Sequence, residues 1–267
     1  MKKFGFIGCG NMGGALATAV AKAVGGENLL LCDAFAEKAE ALAKALGAKA
    51  TDVKALAKEC NYIFLGVKPQ GFSAMFDEIR DTLKARTDAF VLVSMAAGLS
   101  VWAIEGMAGV SCPIIRIMPN TPVAVGEGMV LYTANEKVTK EQLDTFCNAL
   151  ANAGKLDAIA EDKIDAASAL SGCGPAFVYL FAEGLADGAV SCGLARDKAN
   201  LYAAQTLMGA ARMLMESGKH PGELKDAVCS PGGTTIAGVH ALESGAFRAS
   251  SIEAVTAAYE KTLQLKK

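Results

Sequence analysis

With 267 residues, 52% of them hydrophobic and 20% charged, the chain has material for one large or two moderate packed domains, which excludes a disordered protein. A formal net charge of −2, basic runs only two residues long and 6% aromatics argue against a nucleic-acid surface or an anionic-membrane anchor. The eight cysteines form no C-x-x-C pair, which argues against a zinc or iron–sulfur framework, so no metal site is expected.

Met1-Lys2-Lys3 followed by apolar residues imitates a signal peptide, but the apolar stretch before Cys9 is too short and Asn11 interrupts the residues after it. The uncharged runs Ala89–Ile104 and Ala166–Ala182 fall short of a membrane span. Cysteines scattered through apolar runs read as small hydrophobes in a reducing compartment. A soluble, cytoplasmic protein is expected.

The first half alternates short apolar runs with helical patterns. Phe4–Ile7, Leu29–Cys32, Tyr62–Val67, Phe90–Ser94 and Ile114–Met118 read as buried strands, with Gly128–Tyr132 as one more. Met12–Val24, Ala36–Leu46, Asp52–Lys58 and Phe72–Lys84 have helical length and spacing, as does Thr139–Leu150 with Thr139 as cap. This alternation predicts βαβ units and a doubly wound parallel sheet. The second half shows no clear strands. Pro175–Cys192, Arg196–Ser217 and Ser250–Leu265 read as helices broken at Gly193, Gly218 and Gly232-Gly233. The expected organisation is a Rossmann-type domain over residues 1–158 and an all-helical domain over 159–267. One helical segment is apolar nearly all round, from Ala203 through Leu214. A domain of about a hundred residues has little interior to bury such a helix, so a homodimer or larger assembly is expected.

Ile7-Gly8-Cys9-Gly10-Asn11-Met12-Gly13 carries G-x-G-x-x-G between a strand and a helix, the context that makes this pattern a dinucleotide fingerprint. Gly8 permits the tight turn, Gly10 a close approach of pyrophosphate, and Gly13 close helix–strand packing. The helix start presents N–H groups and partial positive charge to phosphates. Asp33 ends the second strand, where an acidic residue either bonds the adenosine ribose or caps the following helix. An Asp there favours NADH, whereas Lys49 and Lys54 would suit the extra phosphate of NADPH; the sequence leaves NADPH or NADH open. Val67-Lys68-Pro69 and Met95-Ala96-Ala97 come after later strands and should flank the cofactor, with small residues at Ala96 and Ala97 leaving room. Asn120, in the rigid turn Pro119-Asn120-Thr121-Pro122, either bonds a ribose or braces its loop.

The second half carries two more glycine turns. Ser171-Gly172-Cys173-Gly174-Pro175 opens a long helix, with Pro175 suited to its first turn. Ser230-Pro231-Gly232-Gly233-Thr234-Thr235 opens another, and free N–H groups at Gly233, Thr234 and Thr235 are expected to hold a carboxylate without any arginine. His220, beside Pro221, and His240 are poor candidates for acid or base.

The motifs FIGCGNMG, VKPQ, MAAGLS, RIMPNTP, ALSGCGPA, HPGELKD and SPGGTTIAGVHALE, in this order, resemble those of the pyrroline-5-carboxylate reductases over nearly the whole chain. The resemblance implies a Rossmann domain followed by a helical dimerisation domain, with dimers assembled into larger rings. It implies reduction of 1-pyrroline-5-carboxylate to L-proline with NADPH or NADH. By motif position it puts cofactor contacts on Gly8–Gly13, Val67-Lys68-Pro69 and Met95-Ala96-Ala97. Substrate contacts fall on Ser230 and Gly233-Thr234-Thr235, with Thr235 as the catalytic candidate. Cys173 stands where the pattern often has Ser, which removes a hydroxyl. No substrate role is carried to Gly218 or Ala227. The β-hydroxyacid dehydrogenases share this layout but place a catalytic Lys in the helix after the glycine turn; Pro175–Cys192 contains none.

Overall fold

The computed structural model describes residues 2–265; the outermost ends of the two expected domains, 1 and 266–267, lie outside the described residues. Apolar runs of Phe, Ile, Leu and Val form strands that are buried because helices cover both faces. These are β1 (Phe4–Ile7), β2 (Leu29–Cys32), β4 (Tyr62–Leu65), β5 (Val91–Ser94) and β6 (Ile114–Pro119). With the short β3 (Lys49–Ala50), β7 (Gly128–Ala134) and β8 (Gly154–Ala158) they make one sheet, ordered β3-β2-β1-β4-β5-β6-β7-β8. Neighbours are parallel except β6 and β7, where the chain reverses. The two-residue β3 is too short to leave a periodic signal. β8 reads Gly-Lys-Leu-Asp-Ala with no buried residue; it lies in the second half, where the sequence shows no clear strand, and so corrects that reading.

Alternation along each central strand sorts side chains between two cores. Phe4 and Phe6 of β1 pair in register with Tyr62 and Phe64 of β4, and the rings stack at 5.1 and 4.4 Å. They face α1 (Asn11–Val24), α2 (Ala36–Leu46) and α6 (Lys140–Ala149) through Leu16, Val20, Ala39 and Phe146. Ile7, Ile63, Leu65 and Leu92 face the other way, onto α3 (Val53–Glu59), α4 (Phe72–Lys84) and α5 (Val101–Ala108), where Leu56, Phe76, Ile79 and Ile104 meet them. The helices start as their residues dictate. Asp52 accepts the Ala55 N–H at 2.8 Å, Ser100 caps α5, and Thr139 and Gln142 form a reciprocal capping box on α6. α5 lies inside a run that is uncharged up to Glu105, which hides its helical period.

By contact density the chain separates into two compact units, 2–173 with 259–265, and 174–258. The first extends past residue 158 because α7 (Ile164–Ser171) packs on β6 and β7. A buried ion pair pins α7 there: Arg116 of β6 is 2% exposed, and its Nη2 lies 3.0 Å from Asp165 Oδ1. Nη1 is 3.4 Å from Glu161 Oε1, which also accepts the Val101 N–H at 2.7 Å. The Nε of Arg116 has no hydrogen-bond partner among the described residues.

The second unit holds α8 (Gly174–Ser191), α9 (Arg196–Ser217), α10 (Pro221–Ala227), α11 (Thr234–Ser244) and most of α12 (Phe247–Leu265). Its buried core is small, centred on Ala186, Ala199 and Ala203. Tyr179, Leu180, Leu201, Tyr202, Met208 and Met215 are exposed in the single chain. The segment Glu161–Ser191 passes a membrane-span criterion of length and composition alone, as core helices of soluble proteins also do; its uncharged run is Ala166–Ala182.

The Arg116 cluster is testable. Asp165→Asn removes the charge of the buried one of the two carboxylates on the Arg116 guanidinium and is expected to cost about 3 kcal/mol. Urea unfolding at fixed protein concentration reads this as a lowered midpoint, and an unchanged midpoint would mean that the pair does not anchor α7.

Candidate functional site

The fingerprint loop is built by backbone meeting backbone. β1 ends at Ile7, whose carbonyl accepts the Gly66 N–H at 2.7 Å, and the Gly8 N–H donates to the Cys32 carbonyl at 2.7 Å. Gly8 has φ +103°, and a Cβ there would lie 2.6 Å from the Gly66 carbonyl oxygen. A Cβ on Gly13 would overlap the Gly8 carbonyl oxygen itself. Glycine is therefore required twice, once for conformation and once for space. Gly10 is the N-cap of α1; no side chain caps it, and the space where its Cβ would sit is open. The first N–H groups of α1, including those of Asn11 and Met12, have no intrahelical partner by geometry. An uncapped helix start facing open space fits a pyrophosphate. Beside this loop, a groove of about 380 Å³ is lined by Cys9, Gly10, Asn11, Thr18, Lys38 and Leu42, among others.

Asp33 joins the loop directly. Its Oδ2 accepts the Cys9 N–H at 2.6 Å and its Oδ1 accepts the Phe35 N–H at 3.0 Å. Burial, followed by the Asp33 and Cys32 charges, pushes the Cys9 thiol up to about 12, so it stays protonated and is no nucleophile at neutral pH.

β4 stops at Leu65, two residues short of the expected Val67, because Gly66 turns the chain against Gly8. Val67 is partly buried and Lys68 and Pro69 are exposed; Lys68 precedes a 3-10 turn that starts at Pro69. After β5, the Met95 N–H donates to the Leu65 carbonyl at 3.4 Å. Ala96 is 2% exposed and belongs to the core, while Ala97 is exposed. The room that small residues leave is therefore at Ala97, and Ala96 offers backbone only. Asn120 braces its loop: its Nδ2 donates to the Ser171 carbonyl at 2.9 Å and its Oδ1 accepts the Met129 N–H at 2.8 Å. Gly66 escaped sequence reading, although a glycine directly after an apolar strand was the available signal.

In the second unit, Gly232 has φ +66°, and Gly233 is the uncapped N-cap of α11. The Gly233 N–H donates to the Ser230 carbonyl at 3.0 Å. It is not free, which corrects the expectation, because the turn closes on itself; Thr234 and Thr235 begin the helix with N–H groups that lack intrahelical partners. A Cβ on Gly233 would overlap the Ser230 hydroxyl oxygen. Ser230, Thr234 and Thr235 are exposed. His220 is structural: it is the N-cap of α10, and its Nδ1 accepts the Gly222 N–H at 3.1 Å. Among the described residues no group of His, Cys, Asp and Glu is arranged to hold a metal ion.

Residues 161–265 match the family described as pyrroline-5-carboxylate reductase dimerisation, and residues 3–98 match NADP oxidoreductase, coenzyme F420-dependent. By sequence family the helical half begins at 161, whereas by packing α7 stays with the sheet. The chain is 40% identical over 270 residues to the pyrroline-5-carboxylate reductase of Escherichia coli, covering 100% of this chain and 99% of that one. The solved Plasmodium falciparum pyrroline carboxylate reductase, with NADP bound, superposes with a TM-score of 0.88 at 34% identity, covering 100% and 98% of the two chains. The Coxiella burnetii pyrroline-5-carboxylate reductase superposes with a TM-score of 0.91 at 32% identity, covering 100% and 99%. End-to-end likeness of this kind, on a chain whose glycine turns already form two open, uncapped helix starts, places it: the protein belongs to the pyrroline-5-carboxylate reductase family.

Proposed function

We propose that the protein reduces the C=N bond of 1-pyrroline-5-carboxylate to give L-proline, in proline biosynthesis, with NADPH or NADH as reductant. The observation that carries this reading is the match to reductases of that name along the full length of the chain. The open cradle at Gly8–Gly13 supports the cofactor half of it.

When bound, the nicotinamide supplies a hydride to the imine carbon. Ile7 and Gly8 fix where the loop turns, and N–H groups of Gly10, Asn11 and Met12 take the pyrophosphate while Gly13 lets α1 approach. Cys9 contributes backbone, held by Asp33. Val67, Lys68, Pro69, Met95, Ala96 and Ala97 form the strand-end loops that flank the cofactor, and Asn120 acts by bracing its own. The substrate carboxylate takes the N–H groups of Thr234 and Thr235, where the dipole of α11 adds positive potential. Ser230 and Gly233 shape that turn. As the hydride adds, the C=N electron pair moves to nitrogen, which must hold one proton. The Thr235 hydroxyl bonds that nitrogen and positions it; because a neutral hydroxyl is a weak acid, water or an already protonated imine is the proton source.

The apolar faces of α8 and α9 that stand exposed in one chain pair with a second copy, and dimers join into a larger ring. Eight free cysteines, three of them pushed up to about 12 mainly by burial, suit a reducing cytoplasm.

Purified protein with pyrroline-5-carboxylate and NADH or NADPH is expected to consume the reduced nicotinamide and release an equal amount of proline. No turnover with either cofactor would dismiss the reading. In Thr235→Ala, kcat/KM is expected to fall roughly tenfold to a thousandfold while cofactor affinity stays near wild type; unchanged kcat/KM would remove Thr235 from the chemistry.

A further inference from the structure

One carboxylate, that of Asp33, stands beside the fingerprint loop. By sequence, Asp33 has two possible roles, capping α2 or reading the adenosine ribose. The structure removes the first. α2 begins at Ala36 with Phe35 as N-cap, and no side chain caps it. The Asp33 carboxylate instead turns to the fingerprint loop, with one oxygen on the Cys9 N–H and the other on the Phe35 N–H. A carboxylate oxygen has two acceptor positions, and these bonds use one on each. The group is thus fixed at the end of β2, half-buried, with acceptor capacity left on both oxygens.

A pair of neighbouring ribose hydroxyls can donate to such a carboxylate. A 2′-phosphate on the same ribose, carrying between one and two negative charges, meets a fixed negative charge instead. Other carboxylates stand on this side: after burial, the charges that raise the adjacent Cys32 thiol are those of Asp33, Asp52 and Glu78, against Lys49 on β3 and Lys54 in the first turn of α3. A further cation, Lys38, is exposed on the first turn of α2, and its ammonium lies 4.7 Å from the centroid of the Phe35 ring. The Plasmodium falciparum relative was solved with NADP bound, so an NADH preference would set this chain apart from it.

We propose that Asp33 makes this protein prefer NADH, by accepting hydrogen bonds from the adenosine ribose hydroxyls and repelling a 2′-phosphate. The inference rests on the reading of Gly8–Gly13 as a dinucleotide cradle.

Binding without substrate tests it. Kd values for NADH and NADPH are measured on the intact protein by nicotinamide fluorescence, and bound NADH is displaced by ADP or by adenosine 2′,5′-bisphosphate. The wild type is expected to bind NADH about tenfold or more tightly than NADPH, and ADP to displace better than the bisphosphate. Asp33→Asn keeps an acceptor for the Cys9 N–H but loses the charge, and it should narrow or invert both ratios. Lys38→Ala should move them little. Equal or tighter binding of NADPH by the wild type would overturn the proposal. So would an unchanged ratio in Asp33→Asn, or a loss of NADPH binding confined to Lys38→Ala. If Asp33→Asn fails to fold, the wild-type ratios and the competition still decide. Binding of neither dinucleotide would overturn the cradle as well; binding of both without preference would overturn this inference alone.

Discussion

The nucleotide half of the molecule depends on how closely three glycines let the backbone pack at the head of the sheet. β1 and β4 run side by side until Ile7 and Leu65, and there Gly8 and Gly66 press together. α1 then starts so close to this junction that Gly13 faces the Gly8 carbonyl with no space for a side chain. Because these are contacts between main chains, no rotamer change relieves them. The same packing that leaves no room at Gly13 leaves Gly10 open, and so creates an uncapped, unobstructed helix start. That open helix start is a by-product of tight core geometry, and the stacked rings of Phe4 on Tyr62 and Phe6 on Phe64 support the strands that lead to it.

Much of this was legible in the sequence, because the elements with strong periods are those with long apolar faces. The central strands and α1, α2, α4 and α6 fell within a few residues of their expected limits. The elements that escaped had weak local signal. β3 is two residues long, and β8 is polar and lies at the sheet edge. α7 reads as part of the helical half, yet Asp165 ties it to Arg116 on β6, forty-nine residues earlier in the chain. Such a bond leaves no trace in any short window. The candidate loops were legible as loops, but not the direction of each group within them. Ala96 turns into the core, the Gly233 N–H closes its own turn, and both functions of the Asn120 amide are engaged in bracing.

The helical half obeys a different logic. Its own core is three alanines and their neighbours, too small to hold five helices by burial alone. The large apolar side chains of α8 and α9 stand exposed in the single chain, and the match to a dimerisation family accords with a partner covering them. Stability of this half is then inseparable from protein concentration. One chain thus combines a sheet domain whose core is complete with a helical domain whose core is not.

The most direct test of the glycine constraint is the affinity of Gly13→Ala for its dinucleotide, read by nicotinamide fluorescence alongside far-ultraviolet circular dichroism. One methyl group at that point forces α1 away from Gly8, and affinity is expected to fall about tenfold or more while the helical signal persists. Wild-type affinity in Gly13→Ala would contradict the account, because it would mean that the close approach of α1 to β1 does not form the site.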